Sequence, residues 1–481
     1  MNVRSIGAGL AFGSLVSLLV PGVAGARNPH CAGGIQYVVG GLKDKNAGNI
    51  EDYQRQMQKA MQQLESCAAE DSLDYEAFGY LGWAYAEVDS CGPAGRWFAK
   101  AINGLNARGD KKKAEIATNN RDAYWINKLN DGVSKINSAQ SAYPDFRKKA
   151  DNDADKTLRA EAEKHYQQAI QSLTCATLLR PGNPQAYRNL GSVYLYTIEF
   201  PKAERVFREG LKAAPEDSAL KAALKIARVN YANQLNDEKR YDEAIAYFGD
   251  LLKGDPENSD LHSSLGTSYL SRAQILQGDA RKPDFKLAGA SYQKAGELKK
   301  DDPDLFYNAA VAYQNAGEQA AAEAMWRAAL KLRANDAEIM SGLAGTLAEL
   351  GKYAEATSVL RSAIEVTPKD KKLHRQLGGV YTKANNNPKA TEELMIYLAL
   401  QNGQPAANAG AAAKAAPAGS EAAKTLAAMG APEEVYPWEA QGDKYETWFY
   451  WTKKQAYHFK AGALSAKSDW SGSAGATGSR N

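Results

Sequence analysis

The stretch YRNLGSVYLYTIEFPKAERVFREGLKAAP, residues 187–215, decides the fold. Large and small residues alternate in it at fixed spacings, and a proline closes the unit. The residues concerned are Leu190, Gly191, Tyr194, Ala203, Phe207 and Pro215. A small residue lets two helices approach closely, and the large side chains fill the holes between them. The stretch therefore predicts a pair of packed helices.

The same pattern recurs along the chain at a step near 34 residues, and the last three copies start at 303, 337 and 371. Around Gly378 it reads His374-x2-Leu377-Gly378-x2-Tyr381, followed by Ala390-x3-Leu394. This period and signature resemble the tetratricopeptide-repeat family. The resemblance implies an all-α solenoid of helical hairpins wound into a superhelix. It also implies a chain that binds other molecules and is not an enzyme.

The predicted organisation follows from the repeat register and from changes in composition. In chain order we expect a signal peptide at 1–26, N-terminal capping helices at 27–74, a repeat array at 75–402, an Ala/Gly/Pro linker at 403–419, a small aromatic domain at 420–470 and a disordered tail at 471–481. Repeats are expected near 75–108, 112–183 with an insertion, 184–217, 225–258, 259–302 with an insertion, 303–336, 337–370 and 371–402.

Residues 1–26 have the pattern of a secretory signal. One basic residue, Arg4, precedes an apolar stretch from Ile6 to Val20, and Ala24-Gly25-Ala26 forms a small-residue cleavage site. The alternative is a membrane anchor, although the stretch is shorter than a spanning helix requires. We predict an exported protein, periplasmic or associated with the outer membrane, with no membrane-spanning segment after cleavage.

The charge balance limits the partners. The chain has 59 basic and 56 acidic residues, a formal net charge of +3. A balance this close to neutral argues against nucleic acid as a partner. A protein or extended peptide is the favoured partner, and an envelope polymer is the alternative.

Four cysteines survive signal cleavage, and an even number in an exported chain permits two disulfides. If 33–42 and 50–66 form an antiparallel helix pair, the start of the first lies beside the end of the second, which brings Cys31 to Cys67. Cys91 and Cys175 are then paired by elimination. The alternative is four free buried thiols that behave as small apolar side chains.

The segment after residue 419 is rich in aromatic side chains. Residues 445–451 and 455–460 read as a β-hairpin, preceded by a short helix at 420–429. A small α+β or β-hairpin domain is therefore expected. Trp438, Trp448, Tyr450 and Trp451 form either the core of a capping domain or an exposed surface on which glycans or peptides stack.

The resemblance to the tetratricopeptide-repeat family implies a binding groove lined by the first helix of each repeat. Asn189, Asn230 and Asn308 stand two residues before the small position of their repeats, and an Asn amide can pair with a peptide backbone through both donor and acceptor. The same register adds these groove candidates: Arg188, Asn233, Tyr307, Gln314 and Arg375. The alternative is that all eight are ordinary solvated side chains.

No catalytic or cofactor motif stands out. The sequence contains no HExxH, GxSxG or GxxxxGK[ST] pattern. Asp151, Asp153 and Asp155 alternate, but the glycine and final glutamate of a calcium loop are missing. We predict neither a catalytic residue, a cofactor nor a metal. The rival hypothesis is an enzyme whose site has diverged beyond recognition.

Overall fold

A computed structural model describes residues 27–470 of the chain, which divides into two compact units, Met1–Ala227 and Arg228–Asn481. The predicted class, an all-α array of repeats with a small C-terminal α+β segment, is confirmed. The predicted signal peptide and tail lie outside the described residues. None of the helices within 27–470 is long and apolar enough to cross a membrane.

The first unit consists of helical hairpins. Its helices are α1 (Pro29–Asn46), α2 (Ile50–Glu70), α3 (Tyr75–Glu87), α4 (Cys91–Ala107), α5 (Lys111–Ala142), α6 (Asp153–Leu179), α7 (Pro184–Tyr196) and α8 (Phe200–Ala213), followed by α9 (Ser218–Asp237), which runs into the second unit. Several helices start at a side-chain cap. Asn183 Oδ1, for example, accepts from the Gln185 amide at 2.9 Å, and Pro184 occupies the first turn.

The small positions do what the sequence pattern predicts. An added Cβ at Gly191 in α7 would overlap the ring of Phe207 in α8, and one at Gly82 would lie 2.9 Å from Phe98. Phe207 and Phe98 are fully buried. In these two hairpins a large ring is thus seated on a glycine, as the repeated pattern predicts.

The region 112–183, expected to be a repeat with an insertion, forms two long helices. α5 is a single helix of 32 residues, and α6 already begins at Asp153. Asp153 and Asp155 occupy the first turn of α6, where acidic side chains interact favourably with the positive end of the helix dipole. Asn152 caps this turn by accepting from the Asp155 amide at 2.9 Å.

Two disulfides fasten the first unit. Cys31 in α1 is bonded to Cys67 in α2, with the Cα atoms 4.8 Å apart. Cys91 at the start of α4 is bonded to Cys175 in α6, with the Cα atoms 5.2 Å apart. These are the two pairings proposed from the sequence. One joins the ends of a hairpin, and the other joins two successive hairpins.

The second unit continues the hairpins and ends in a sheet. Its helices after α9 are α10 (Tyr241–Gly254), α11 (Ser259–Ile275), α12 (Lys282–Leu298), α13 (Pro303–Ala316), α14 (Gln319–Leu332), α15 (Ala337–Glu349), α16 (Tyr353–Val366), α17 (Lys371–Lys383), α18 (Asn387–Asn402), α19 (Ala409–Lys414) and α20 (Glu421–Met429). A 3-10 turn at Gly278–Arg281 fills the connection between α11 and α12.

The sheet is an antiparallel meander with the order β1-β2-β3-β4. The strands are β1 (Glu434–Ala440), β2 (Asp443–Tyr450), β3 (Gln455–Lys460) and β4 (Ala463–Asp469). The predicted hairpin corresponds to β2 and β3. Strand β1 was not predicted. Pro437 lies in its middle and is tolerated there because β1 is an edge strand.

Residues 403–419, predicted to be a linker, do not form a flexible connection. They contain α19, whose Ala413 is fully buried in a cluster with Val435 and Trp448. The Ala406 amide also donates to the Val435 carbonyl at 2.8 Å. Alanine has a high helix propensity and a small side chain, so an Ala-rich segment packs closely on a sheet despite its low complexity.

The sheet is covered on both faces. One face packs on the last hairpin, where Tyr436, Phe449 and Trp470 join Ile396 and Ala399 in one cluster. The other face packs beneath α19 and α20; its buried side chains are Val435, Trp448, Tyr450, Tyr457 and Phe459. Alternate residues of each strand therefore enter two different cores, which explains the aromatic residues on both faces.

Candidate binding surface

The first helices of successive hairpins meet along one line of positions. Gly345 is the ninth residue of its repeat in α15. An added Cβ there would lie 3.3 Å from Gln376 Nε2 on α17 and 3.6 Å from Gln314 Nε2 on α13. Gln376 and Gln314 are the sixth and twelfth residues of their repeats. We define the sixth, ninth and twelfth residues of the first helix in each hairpin as the wall positions.

Hydrogen bonds hold Gln376 in a defined orientation. Its Nε2 donates to the Ser341 carbonyl at 2.8 Å, and its Oε1 accepts from Ser341 Oγ at 2.6 Å. A side-chain amide has two donor hydrogens and two acceptor lone pairs. Gln376 therefore keeps one donor and one acceptor beyond its contacts with Ser341.

A second polar contact between first helices lies near the start of the second unit. Asn236, a twelfth-position residue on α9, donates from Nδ2 to Ser268 Oγ at 2.8 Å. Its buried Oδ1 has no hydrogen-bond partner among residues 27–470, and neither does the buried Oε1 of Gln234. Buried acceptors are usually satisfied in proteins, so these two oxygens are unused hydrogen-bonding capacity on α9.

The eight predicted groove residues are spread over both units. Arg188 and Asn189 lie on α7 in the first unit, and the other six lie in the second. Asn189, Asn230 and Asn308 are half-buried at sixth positions, and Asn233 is exposed at a ninth position. Of these eight, Gln314 lies beside Gly345, which Gln376 also approaches from α17.

Two groove candidates occupy the fifth position of their repeats and make contacts with other side chains of the chain. Tyr307 Oη donates to Glu338 Oε1 at 2.6 Å, and its ring packs edge-on to Trp326 at 5.1 Å. Burial, followed by the hydrogen bond to Glu338, raises the pKa of Tyr307 to about 12. Arg375 is exposed, and its guanidinium lies 5.9 Å from the centre of the Tyr397 ring.

In the first unit the wall positions of repeat 75–108 are aromatic. Tyr80 and Trp83 are its sixth and ninth residues, and their rings stack 6.0 Å apart. Trp83 Nε1 donates to Tyr124 Oη at 3.1 Å. The register alone places both residues on the wall, but a search for asparagine at the sixth position missed them.

A buried carboxylate, Glu87, organises this aromatic wall. It accepts from Tyr53 Oη at 2.6 Å and from Tyr124 Oη, and it pairs with Lys45 at 2.5 Å. Burial acts to raise the pKa of Glu87, but the hydrogen bonds from Lys45, Tyr124 and Tyr53 outweigh it and hold the pKa below its usual value. The carboxylate thus fastens α1, α2, α3 and α5 together.

The C-terminal aromatic residues do not form the exposed stacking surface proposed as one alternative. Trp438, Trp448 and Tyr450 are 3%, 0% and 2% exposed, and Trp451 is half-buried against Phe449. They form cores between the sheet, the last hairpin and the two short helices. Their burial agrees with the other alternative, in which they form the core of a capping domain.

Comparisons with known proteins match the repeats. A protein-family model described as Tetratricopeptide repeat matches residues 190–258 and 307–391. The general transcriptional corepressor ssn6 of Schizosaccharomyces pombe is 28% identical over 157 residues, which are 31% of this chain and 13% of that protein. This chain therefore spans about an eighth of that relative's length.

Solved structures with similar helical arrays include YrrB, described as a TPR protein with an unusual peptide-binding site, and MamA. YrrB is 22% identical with a TM-score of 0.33, covering 40% of this chain and 92% of YrrB. MamA is 19% identical with a TM-score of 0.33, covering 37% of this chain and 91% of MamA.

Proposed function

Because the chain belongs to the tetratricopeptide-repeat family, whose members are typically scaffolds for proteins or peptides, we propose that it is a non-catalytic adaptor. Its ligand is an extended segment of a partner protein, held along the wall positions of the second unit. The observation that carries this proposal is the placement of Gln314 and Gln376 on either side of Gly345.

Amides suit an extended peptide for a physical reason. A peptide backbone offers an N–H donor and a C=O acceptor at every residue, and a Gln or Asn amide can pair with both. Gln376 is held by Ser341, so less side-chain entropy is lost when it binds. The absence of a side chain at Gly345 leaves room for a backbone to approach both amides.

We also propose that the protein works outside the cytoplasm. Two disulfides join Cys31 to Cys67 and Cys91 to Cys175, and such bonds persist in oxidising compartments. The secretory pattern of 1–26 supports the same location. Fractionation of a two-membrane bacterium that expresses the chain, with thiol alkylation before lysis, should recover it in the periplasmic fraction with all four cysteines oxidised. Reduced protein in the cytoplasmic fraction would contradict export.

The experiment for the adaptor function is a crosslinked pull-down from envelope extract, read by mass spectrometry. The baits are the wild-type protein, the wall variant Asn308→Ala/Gln314→Ala/Gln376→Ala, and the matched control Gln401→Ala, an exposed amide on α18. A partner lost only from the wall variant supports the proposal. A partner retained by all three baits excludes the wall of the second unit as the working surface.

A further inference from the structure

One face of the last hairpin is left open. Residues of α17 and α18 line a notch of about 350 Å³. They are Arg375, Gly378, Gly379, Thr382, Asn387, Ala390, Thr391 and Leu394. Leu394 is 48% exposed although it occupies the position of the large core residue in its repeat. The C-terminal sheet packs elsewhere, through Ile396 and Ala399 of α18.

The preceding repeat shows that this face is normally covered. The preceding repeat has Ala344, Ala348, Ala356 and Leu360 at the positions equivalent to Gly378, Thr382, Ala390 and Leu394. All four of these residues are buried, and Leu360 is fully so. The next hairpin supplies the cover there, because α17 packs on α16. Within residues 27–470 no further first helix follows α18 to do the same.

The internal repeats also show what kind of helix fits such a face. An added Cβ at Gly342 of α15 would lie 2.5 Å from Trp326 of α14, the residue equivalent to Leu394 in its own repeat. An added Cβ at Gly289 of α12 would lie 2.7 Å from the ring of Tyr313 on α13. In α15 a small residue, Gly342, thus leaves room for the large Trp326, and in α13 a large ring, Tyr313, lies over the small Gly289.

The charge beside the notch favours an acidic occupant. Lys371, Lys372 and Arg375 belong to α17, and none of them has an acidic partner within the part of the chain that the structure describes. Neighbouring bases are different, since Lys383 pairs with Glu349 and Lys389 with Glu392. An acidic helix would be attracted to this end of the chain and a basic one repelled.

Two other occupants, the segment 471–481 and the first helix of a second copy, do not match this chemistry. Residues 471–481, SGSAGATGSRN, contain no apolar side chain larger than alanine. The first helix of a second copy, α1, ends in Lys43, Asp44 and Lys45, so it is not acidic. A separate protein fits the chemistry better than either.

We propose that the open face of the last hairpin docks an amphipathic, acidic helix of a partner protein, which takes the place of a further repeat's first helix. This goes beyond the peptide-binding wall, because the ligand is a helix and the notch adds Ala390 and Leu394 of α18 to two wall positions of the last repeat, Gly379 and Thr382. The occupant buries an apolar side chain against Ala390 and Leu394, and its acidic residues face Arg375 and Lys372.

The test uses a defined probe. The peptide DAEIMSGLAGTLAEL has the sequence of residues 336–350, carries three acidic and no basic residues, and in the chain it is the helix that covers Trp326. A fluorescent, helix-stapled form is titrated against the purified protein. We expect saturable binding that weakens roughly tenfold or more in Leu394→Asp, because a carboxylate there meets an acidic ligand in an apolar notch. Arg375→Ala should weaken binding and reduce its dependence on salt.

Two controls keep the outcome clear. Leu332→Asp changes a matched leucine, 42% exposed on α14, and should leave binding unchanged. The wall variant Asn308→Ala/Gln314→Ala/Gln376→Ala should also bind the probe normally, which separates this proposal from the peptide-binding wall. Equal affinity of wild type and Leu394→Asp would overturn the proposal. A dimer seen by light scattering and lost in Leu394→Asp would overturn it in favour of a second copy.

Discussion

Glu393 and His374 form a buried pair inside the last hairpin. The Glu393 carboxylate accepts from His374 Nδ1 at 2.7 Å, and His374 Nε2 faces the Pro368 carbonyl oxygen at 2.9 Å. His374 is fully buried and Glu393 is 7% exposed. The Trp470 ring lies edge-on to the imidazole at 6.4 Å. The pair therefore joins α17 and α18 at the place where the sheet ends.

Glu393→Leu should destabilise the last hairpin by about 1–3 kcal/mol, because it leaves a buried imidazole nitrogen without a partner. Hydrogen exchange of α17 and α18 measures the loss locally. The neighbouring Glu392→Ala is the control; its side chain pairs with Lys389 near the surface and should cost less than about 1 kcal/mol. Equal protection in the Glu393 variant and wild type would show that the pair contributes nothing.

Acid should loosen the C-terminal sheet through His458. Burial, and then repulsion from His374, lowers the pKa of His458 from 6.5 to about 3. Because the folded pKa lies below the unfolded one, this contribution to stability is present above pH 6.5 and is lost as the pH falls from there toward 3. Between pH 7 and pH 5.5 the expected loss is about 1 kcal/mol.

His458→Asn removes the titrating group but keeps a side chain that can hydrogen-bond to Thr447. The pH dependence of exchange in β3 and β4, compared between variant and wild type, isolates the contribution of His458. The variant should lose less protection than wild type over this pH range. Parallel pH profiles would refute the assignment.

Gly191→Ala should destabilise one hairpin and spare the rest of the first unit. The new methyl group would overlap the Phe207 ring, and overpacking costs about 1–3 kcal/mol. Repeat arrays are stabilised mainly by contacts between neighbours, so protection should fall in α7 and α8 first. Gly249→Ala in α10 is the matched control, because nothing lies within 4 Å of an added Cβ there. The Gly249→Ala variant should be more stable than wild type by about 0.5–1 kcal/mol. A uniform loss of hydrogen-exchange protection across the first unit after Gly191→Ala would contradict the prediction that the effect is local.

Removing the disulfides should have unequal effects. The Cys31–Cys67 bond closes a loop of 36 residues and the Cys91–Cys175 bond one of 84. Loop-closure entropy predicts about 4 and about 5 kcal/mol, respectively, as upper values. Urea unfolding of Cys31→Ala/Cys67→Ala and Cys91→Ala/Cys175→Ala should therefore place the second variant lower in stability. The opposite order would show that local packing, and not the loop, sets the contribution.

The proposed peptide-binding wall was predictable only in part. The repeat register identifies which positions line up, and it places Gln376 and Trp83 on the wall as readily as Asn308. The choice of asparagine as the marker is narrower than the register, because the register specifies a place and not a chemistry. That Gln314 and Gln376 both approach Gly345 depends on the packing of α13, α15 and α17, the first helices of three successive hairpins.

The sequence by itself determined the hairpins, because a glycine such as Gly191 and a ring such as Phe207 interact within one repeat of about 34 residues. Tertiary structure alone decided which faces are covered. Trp448 is buried because α19 and α20 pack over its side of the sheet, whereas Leu394 is exposed because no later helix within residues 27–470 packs over it. Local spacing sets which side chains share a face, but burial depends on what the rest of the chain brings to that face.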